Sequence, residues 1–250
     1  MTIYTVLVLV GVLGTLFCVY RIAKKNALDE IEVLYMTLIA FAAAAIGGAL
    51  LYGLTNIRLL LALLRNLDKL ESFGQLLQYL GAIFGGSVFY GGLIGMLLTS
   101  LLYVRKKRLS ARYLDVVALG IPMFHTVGRI GCFLGGCCFG MESEFGFVYH
   151  HSPIAEANGV RRLPVQLFEA AFNLLLCLTL YRLFRRKQWA GWLLHLYLLA
   201  YPVFRFVIEF FRGDAYRGFV RGLSTSQWIS LLLLAVNGIV FAVRVRKKTT

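Results

Sequence analysis

The stretch His125-Thr-Val-Gly128-Arg129-Ile-Gly131-Cys132-Phe-Leu-Gly-Gly-Cys137-Cys138-Phe-Gly140 ties an arginine to a run of glycines and cysteines inside an otherwise apolar sequence. An arginine at the edge of hydrocarbon costs roughly 2.5–3.5 kcal/mol unless it is paired or faces water. Glycines beside it let backbone or ligand come close to a fixed positive charge. The chemistry this points to is recognition of an anion inside a membrane protein. A second group repeats the theme in Tyr201-Pro-Val-Phe-Arg205-Phe-Val-Ile-Glu209-Phe-Phe-Arg212. At about 100° per residue, Tyr201, Arg205, Glu209 and Arg212 share one helix wedge of roughly 80°. The plain alternative is an Arg205–Glu209 pair at i, i+4 that neutralises itself. Two arginines from separate spans, aimed at one point, make a clamp for a phosphate.

Two further groups could complete such a site. Gly85-Gly86-Ser87-Val-Phe-Tyr90-Gly91-Gly92-Leu-Ile-Gly95 surrounds a tyrosine with small residues, suited either to a ligand or to close helix packing. In Arg162-Leu-Pro164-Val-Gln166-Leu-Phe-Glu169, the proline suits a helix start. Gln166 and Glu169 lie one turn apart and are expected to face a wet cavity. His125 is one turn before Arg129 on the same face, as a base or as a packing residue. His150 and His151 read as loop residues, and His195 lies far from the site. The spacing C-x4-C-C of Cys132, Cys137 and Cys138 leaves open a Cys132–Cys137 disulfide or small-residue packing. It lacks the second C-x2-4-C pair that zinc sites favour, so no metal is expected. Cys18 and Cys177 read as span filler.

The elements that must hold these residues are membrane spans. Hydrophobic residues make up 59% of the 250 positions and charged residues 15%, and the mean hydropathy is +0.75. A soluble domain does not need that much apolar surface. The net charge of +14 sits in short loops between apolar runs, where it reports orientation and anionic lipid rather than nucleic acid. Seven stretches have the length needed to cross about 30 Å of hydrocarbon: residues 2–20, 33–54, 84–104, 113–128, 164–184, 190–211 and 226–243. The first lacks a basic leader and a small-x-small cleavage site, and reads as a retained span. With the N-terminus outside and the C-terminus inside, sixteen Lys and Arg fall inside and eight outside, as the positive-inside rule requires. The Gly/Cys turn then faces outward. Residues 56–82, interrupted by Arg65, Asp68, Lys69 and Glu71, read as a helical arm in the outer interface. The expected fold is thus an all-α integral membrane protein of seven transmembrane helices, one polytopic domain over residues 1–250.

These four groups, in this order and spacing, resemble the prolipoprotein diacylglyceryl transferase family of bacterial inner membranes. Gly128-Arg129-Ile-Gly131 running to Gly140 is similar to that family's most diagnostic motif. The blocks 85–95, Pro164-x-Gln166-Leu-Phe-Glu169, Arg205-Phe-x-x-Glu209-Phe-Phe-Arg212 and Leu223-Ser224-Thr-Ser-Gln227 match its others. The resemblance implies transfer of the diacylglyceryl group of phosphatidylglycerol to the thiol of a lipobox cysteine in a prolipoprotein signal peptide. A thioether forms and glycerol phosphate leaves. It implies a monomer of the cell membrane with no cofactor, no metal and no nucleic acid. By position it implies that Arg129 holds the phosphate with Arg205 as partner, that Glu209 orients Arg205, and that Tyr201 donates a hydrogen bond. Asp115 then supports the arginines from behind. Three positions depart from better-known members. Tyr90 stands where they carry a histidine suggested to activate the thiol, and a tyrosine with pKa near 10 is a poor base. Cys132 and Cys137 replace an asparagine and a glutamate, and His125 is the alternative base. A divergent relative with another lipid donor or thiol acceptor remains an alternative, as does a lipid-binding or transport protein using the same clamp without chemistry.

Overall fold

The computed structural model describes residues 3–70, 72–214 and 218–249. Among these described residues, six helices are long and apolar enough to cross a membrane, or seven if one bent pair counts as a single span. In chain order the helices are α1 (Ile3–Lys25), α2 (Glu30–Thr55), α3 (Ile57–Arg65), α4 (Phe73–Phe84), α5 (Phe89–Lys106), α6 (Arg112–Leu134), α7 (Val165–Arg185), α8 (Leu193–Ile208) and α9 (Thr225–Thr249). Two antiparallel ribbons interrupt the all-α plan, and neither was expected. β1 (Glu142–Val148) pairs with β2 (Arg161–Arg162), and β3 (Phe219–Val220) with β4 (Leu223–Ser224).

The chain forms two compact units, residues 34–109 and the remainder. In the second of these, α6 is the central post, packed against α1 on one side and α7 on another, with α8 and α9 completing the bundle. From Tyr113 to Pro122 every α6 residue is buried, and apart from Asp115 this stretch is apolar all round, as a helix enclosed by neighbours should be. Polar groups at the far end of the bundle hold α8 to its neighbours. Asp115 accepts backbone N–H groups of Gly191 (2.6 Å) and Leu193 (3.0 Å), capping the orphan donors at the α8 start. Asn237 and Arg244 of α9 reach His195 at 2.7 and 2.9 Å.

In the unit of residues 34–109, glycines explain the close crossing of α2 and α5. A Cβ on Gly91 would collide with the Gly47 carbonyl, and one on Gly95 with that of Ala43. Membrane helices use small residues in this way, because lipid gives no hydrophobic drive for side-chain packing. Tyr90 is buried and meets Phe89 edge-on, ring centroids 5.6 Å apart. The span expected at 84–104 begins later, with α5 at Phe89. Gly85 caps α4, and α5 departs at 86° from it after a four-residue break. The arm therefore consists of α3, a short 3₁₀ turn and α4, whose start Ser72 caps by accepting the Gln75 N–H at 3.2 Å. Glu71 of the expected arm lies outside the described residues.

Replacing Gly91 or Gly95 by leucine should lower the melting temperature in detergent, since overpacking costs about 1–3 kcal/mol. Gly81→Ala, where a Cβ meets nothing within 4 Å, should leave it unchanged or slightly raised; equal losses for all three would contradict the packing account.

Candidate functional site

α6 continues through Gly128 and Arg129 to Leu134, six residues beyond the expected span end. Arg129 therefore projects from a rigid helix body, not from a turn. His125 and Arg129 share one face at i, i+4, as do Tyr201 and Arg205 on α8. Between them α7 places Glu169, which is 2% exposed. Arg129 Nη2 lies 3.0 Å from Glu169 Oε1, and Arg205 Nη1 lies 3.3 Å from Oε2. Tyr201 donates its hydroxyl to Oε1 at 3.0 Å. Arg205 Nη2 meets Glu209 at 2.7 Å and donates to Ser226 at 3.3 Å. Arg129 Nε donates to His125 Nε2 at 3.1 Å, which assigns the ring proton to Nδ1. The two guanidiniums thus converge, but on a carboxylate that the sequence reading had placed in a cavity wall.

The arrangement follows from desolvation. An ion so buried loses several kcal/mol of hydration and persists only with close partners. Two cations and two anions make the cluster neutral overall. Arg129 keeps one group in reserve: its Nη1 makes no hydrogen bond among the described residues. A Cβ on the adjacent Gly128 would meet nothing within 4 Å.

The glycine–cysteine turn has its own logic. Gly136 donates to the Phe133 carbonyl at 3.2 Å and Cys137 to that of Cys132 at 3.1 Å, the paired bonds of a Schellman ending. Gly136 has φ +68°, which is why glycine stands there. Cys138 also takes positive φ, +56°, and the Cys132, Cys137 and Cys138 sulfurs lie within 4.8 Å of one another. All five cysteines are free thiols. The Cys138 thiol is held well below the usual thiol range, by the Cys132 and Cys137 thiols and then by the positive charges of Arg212 and Arg129. Beyond it, Gly140 bonds to Leu163 (3.0 Å), Met141 to Phe211 (2.9 Å) and Gly213 to Phe139 (3.0 Å). Three backbones cross there, and a Cβ on Gly140 would strike the Leu163 carbonyl. Gln166 donates to the Cys137 carbonyl at 2.7 Å and contacts Tyr149 at 3.3 Å, so it secures the turn. Gly131 packs on Tyr4 and Leu7 of α1.

Two expected placements change. α8 ends at Ile208, a 3₁₀ turn follows, and Arg212 is extended. It leaves the wedge and pairs with Asp214, Nε to Oδ1 at 2.9 Å. Asp115 does not reach the arginines. It stands 14 residues before Arg129, about 20 Å along the helix at 1.5 Å per residue, and caps α8. Tyr90 belongs to the other unit. Asp214 and Ser226 were missed; the Arg-x-Asp spacing was the available signal for the first. A groove of about 310 Å³ between α1, α6 and α7, lined by Phe17, Cys18, Arg21, Leu119 and Tyr181, includes none of the cluster residues.

Residues 1–244 match the model of a family described as prolipoprotein diacylglyceryl transferase. A phosphatidylglycerol–prolipoprotein diacylglyceryl transferase of Clostridium tetani is 32% identical, with 98% of this chain and 94% of the relative covered. One from Dehalococcoides mccartyi is 31% identical over 98% and 90%. One from Idiomarina loihiensis is 38% identical over 66% and 62%.

Glu169→Gln should destabilise the bundle by about 3–5 kcal/mol, because two buried guanidiniums lose their shared counter-charge. Tyr201→Phe should cost about 1.5–3 kcal/mol, one hydrogen bond to a charged acceptor. Thermal unfolding in detergent checks the order, and a Tyr201→Phe loss as large as that of Glu169→Gln would contradict the bridge.

Proposed function

The chain belongs to the prolipoprotein diacylglyceryl transferase family, and from that premise we propose that the Arg129–Glu169–Arg205 cluster is where it handles phosphatidylglycerol. The substrates are phosphatidylglycerol and a lipobox cysteine in a secreted precursor. The thiol sulfur attacks the glyceryl carbon, the carbon–oxygen bond breaks, and glycerol phosphate leaves with the bonding electrons. The phosphodiester carries about one negative charge, and the phosphate of the product tends toward two. A cation fixed beside that oxygen binds the transition state more tightly than the ground state.

The observation that carries this reading is the convergence of Arg129 and Arg205 on Glu169, with Arg129 Nη1 left as a reserve donor. Glu169 holds both guanidiniums in place before the lipid arrives, so orientation is settled in advance. Glu209 and Tyr201 fix Arg205 and the carboxylate in turn. We place the cluster toward the outer face, with the N-terminus outside and the C-terminus inside, on the loop charges of the sequence. The protein then works as a monomer of the bacterial cell membrane, taking lipid from the outer leaflet and peptide from outside.

The test is purified protein with phosphatidylglycerol labelled in its headgroup and a lipobox peptide. Glycerol phosphate should be released with thioether formation; bound lipid without release would leave a lipid-binding protein. Arg129→Ala should slow release by about 10²–10³-fold, as loss of a fixed oxyanion donor does. Arg129→Lys should not restore it, because one ammonium cannot serve His125, Glu169 and a phosphate from a planar fork. Full activity of either variant would refute the assignment.

A further inference from the structure

The buried cluster can stabilise a departing phosphate, but its proton acceptors are engaged. Glu169 is shared by Arg129, Arg205 and Tyr201, and Glu209 is paired with Arg205. His125 Nε2 already accepts from Arg129. A thiol becomes a nucleophile as its thiolate, so something must take or replace its proton. At the end of α6 three further sulfurs converge, with Cys132, Cys137 and Cys138 Sγ mutually within 4.8 Å and none deeply buried.

We propose that these three thiols bind one thiophilic divalent cation of the zinc type and leave its fourth position to the thiol of the incoming peptide. The inference rests on the transferase reading above. Zinc takes thiolates at about 2.3 Å in a tetrahedron, which sets sulfurs about 3.8 Å apart; closing from 4.8 Å asks side-chain rotations of about 1 Å. Three protein donors with one open position are the pattern of a catalytic zinc rather than a closed structural one. The sequence spacing lacks a second cysteine pair, but the folded turn brings a third donor by following the Schellman ending with a left-handed Cys138. Three thiolates and a dication carry about one net negative charge.

The step balances without an oxidant. A coordinated thiol is deprotonated outright, and its proton leaves to water. The sulfur lone pair forms the new carbon–sulfur bond while the carbon–oxygen pair departs on glycerol phosphate. The resulting thioether is a neutral, weaker ligand than a thiolate, and so it leaves.

The full chain is purified under reducing conditions, and its zinc is measured and exchanged for cobalt. Expected are about one metal per chain and a thiolate-to-cobalt charge-transfer band. Cys132→Ser, Cys137→Ser and Cys138→Ser should each weaken cobalt binding by at least about tenfold to a hundredfold, the loss that even outer-shell changes cause. Cys18→Ser and Cys177→Ser, which also remove a thiol, should not. A lipobox peptide should shift the cobalt spectrum, and the same peptide with serine for cysteine should not. No metal uptake by folded, reduced protein, or undiminished glycerol phosphate release after chelation, overturns the proposal. So does a Cys132–Cys137 disulfide in the active form. A peptide-sensitive cobalt spectrum in protein that releases no glycerol phosphate supports the metal site and overturns the transferase reading instead.

Discussion

A single carboxylate holds the core of this protein together. Glu169 sits between guanidiniums from two other helices and accepts a tyrosine hydroxyl besides. Without it, α6 and α8 would bury two like charges side by side, and the bundle would have to open to water. With it, three helices are locked at one level, and the arginines keep one geometry through whatever happens next to them. The apolar contacts along α6 make the bundle cohere, but this ionic bridge decides how the helices register. Phe172 and Phe204 stack 3.9 Å apart between α7 and α8, close in sequence to Glu169 and Arg205, and reinforce the same alignment.

The turn beyond α6 is the second constraint. Its glycines serve separate needs. Gly136 supplies the left-handed ending, Gly131 lets α1 approach, and Gly140 leaves room for the Leu163 carbonyl. Gln166 and the crossing backbones then tie the turn to the starts and ends of α7 and α8. A motif that looks like a flexible glycine loop in the sequence is a knot of close backbone contacts.

Much of this was legible in the residues. The apolar runs marked the spans, and the periodicity of Tyr201, Arg205 and Glu209 put them on one face. The i, i+4 spacing likewise paired His125 with Arg129. Arg212 was misread because a helical wheel assumes that the helix goes on, and α8 stops at Ile208. Asp115 was misread because acidity near an arginine-bearing helix says nothing about which end it serves. Here the bare N–H groups opening α8 claimed it. The bend between α4 and α5 depends on the chain turning extended at Val88, and the meeting of three sulfurs on the left-handed backbone of Cys138. Spacing alone does not encode those. Glu169 was picked out as polar and inward, but a bridge needs two partners from distant segments, and only the fold supplies them.

The even balance of positive and negative groups around Glu169 has a consequence for selectivity. A cluster with no surplus charge exerts little long-range pull, so inorganic phosphate, nucleotides and other dissolved anions gain little by approaching it. A ligand delivered within the bilayer starts at high local concentration and is already partly dehydrated. Discrimination between a membrane-anchored phosphodiester and the phosphates of the surrounding solution would then come from route of delivery, with no dedicated gate.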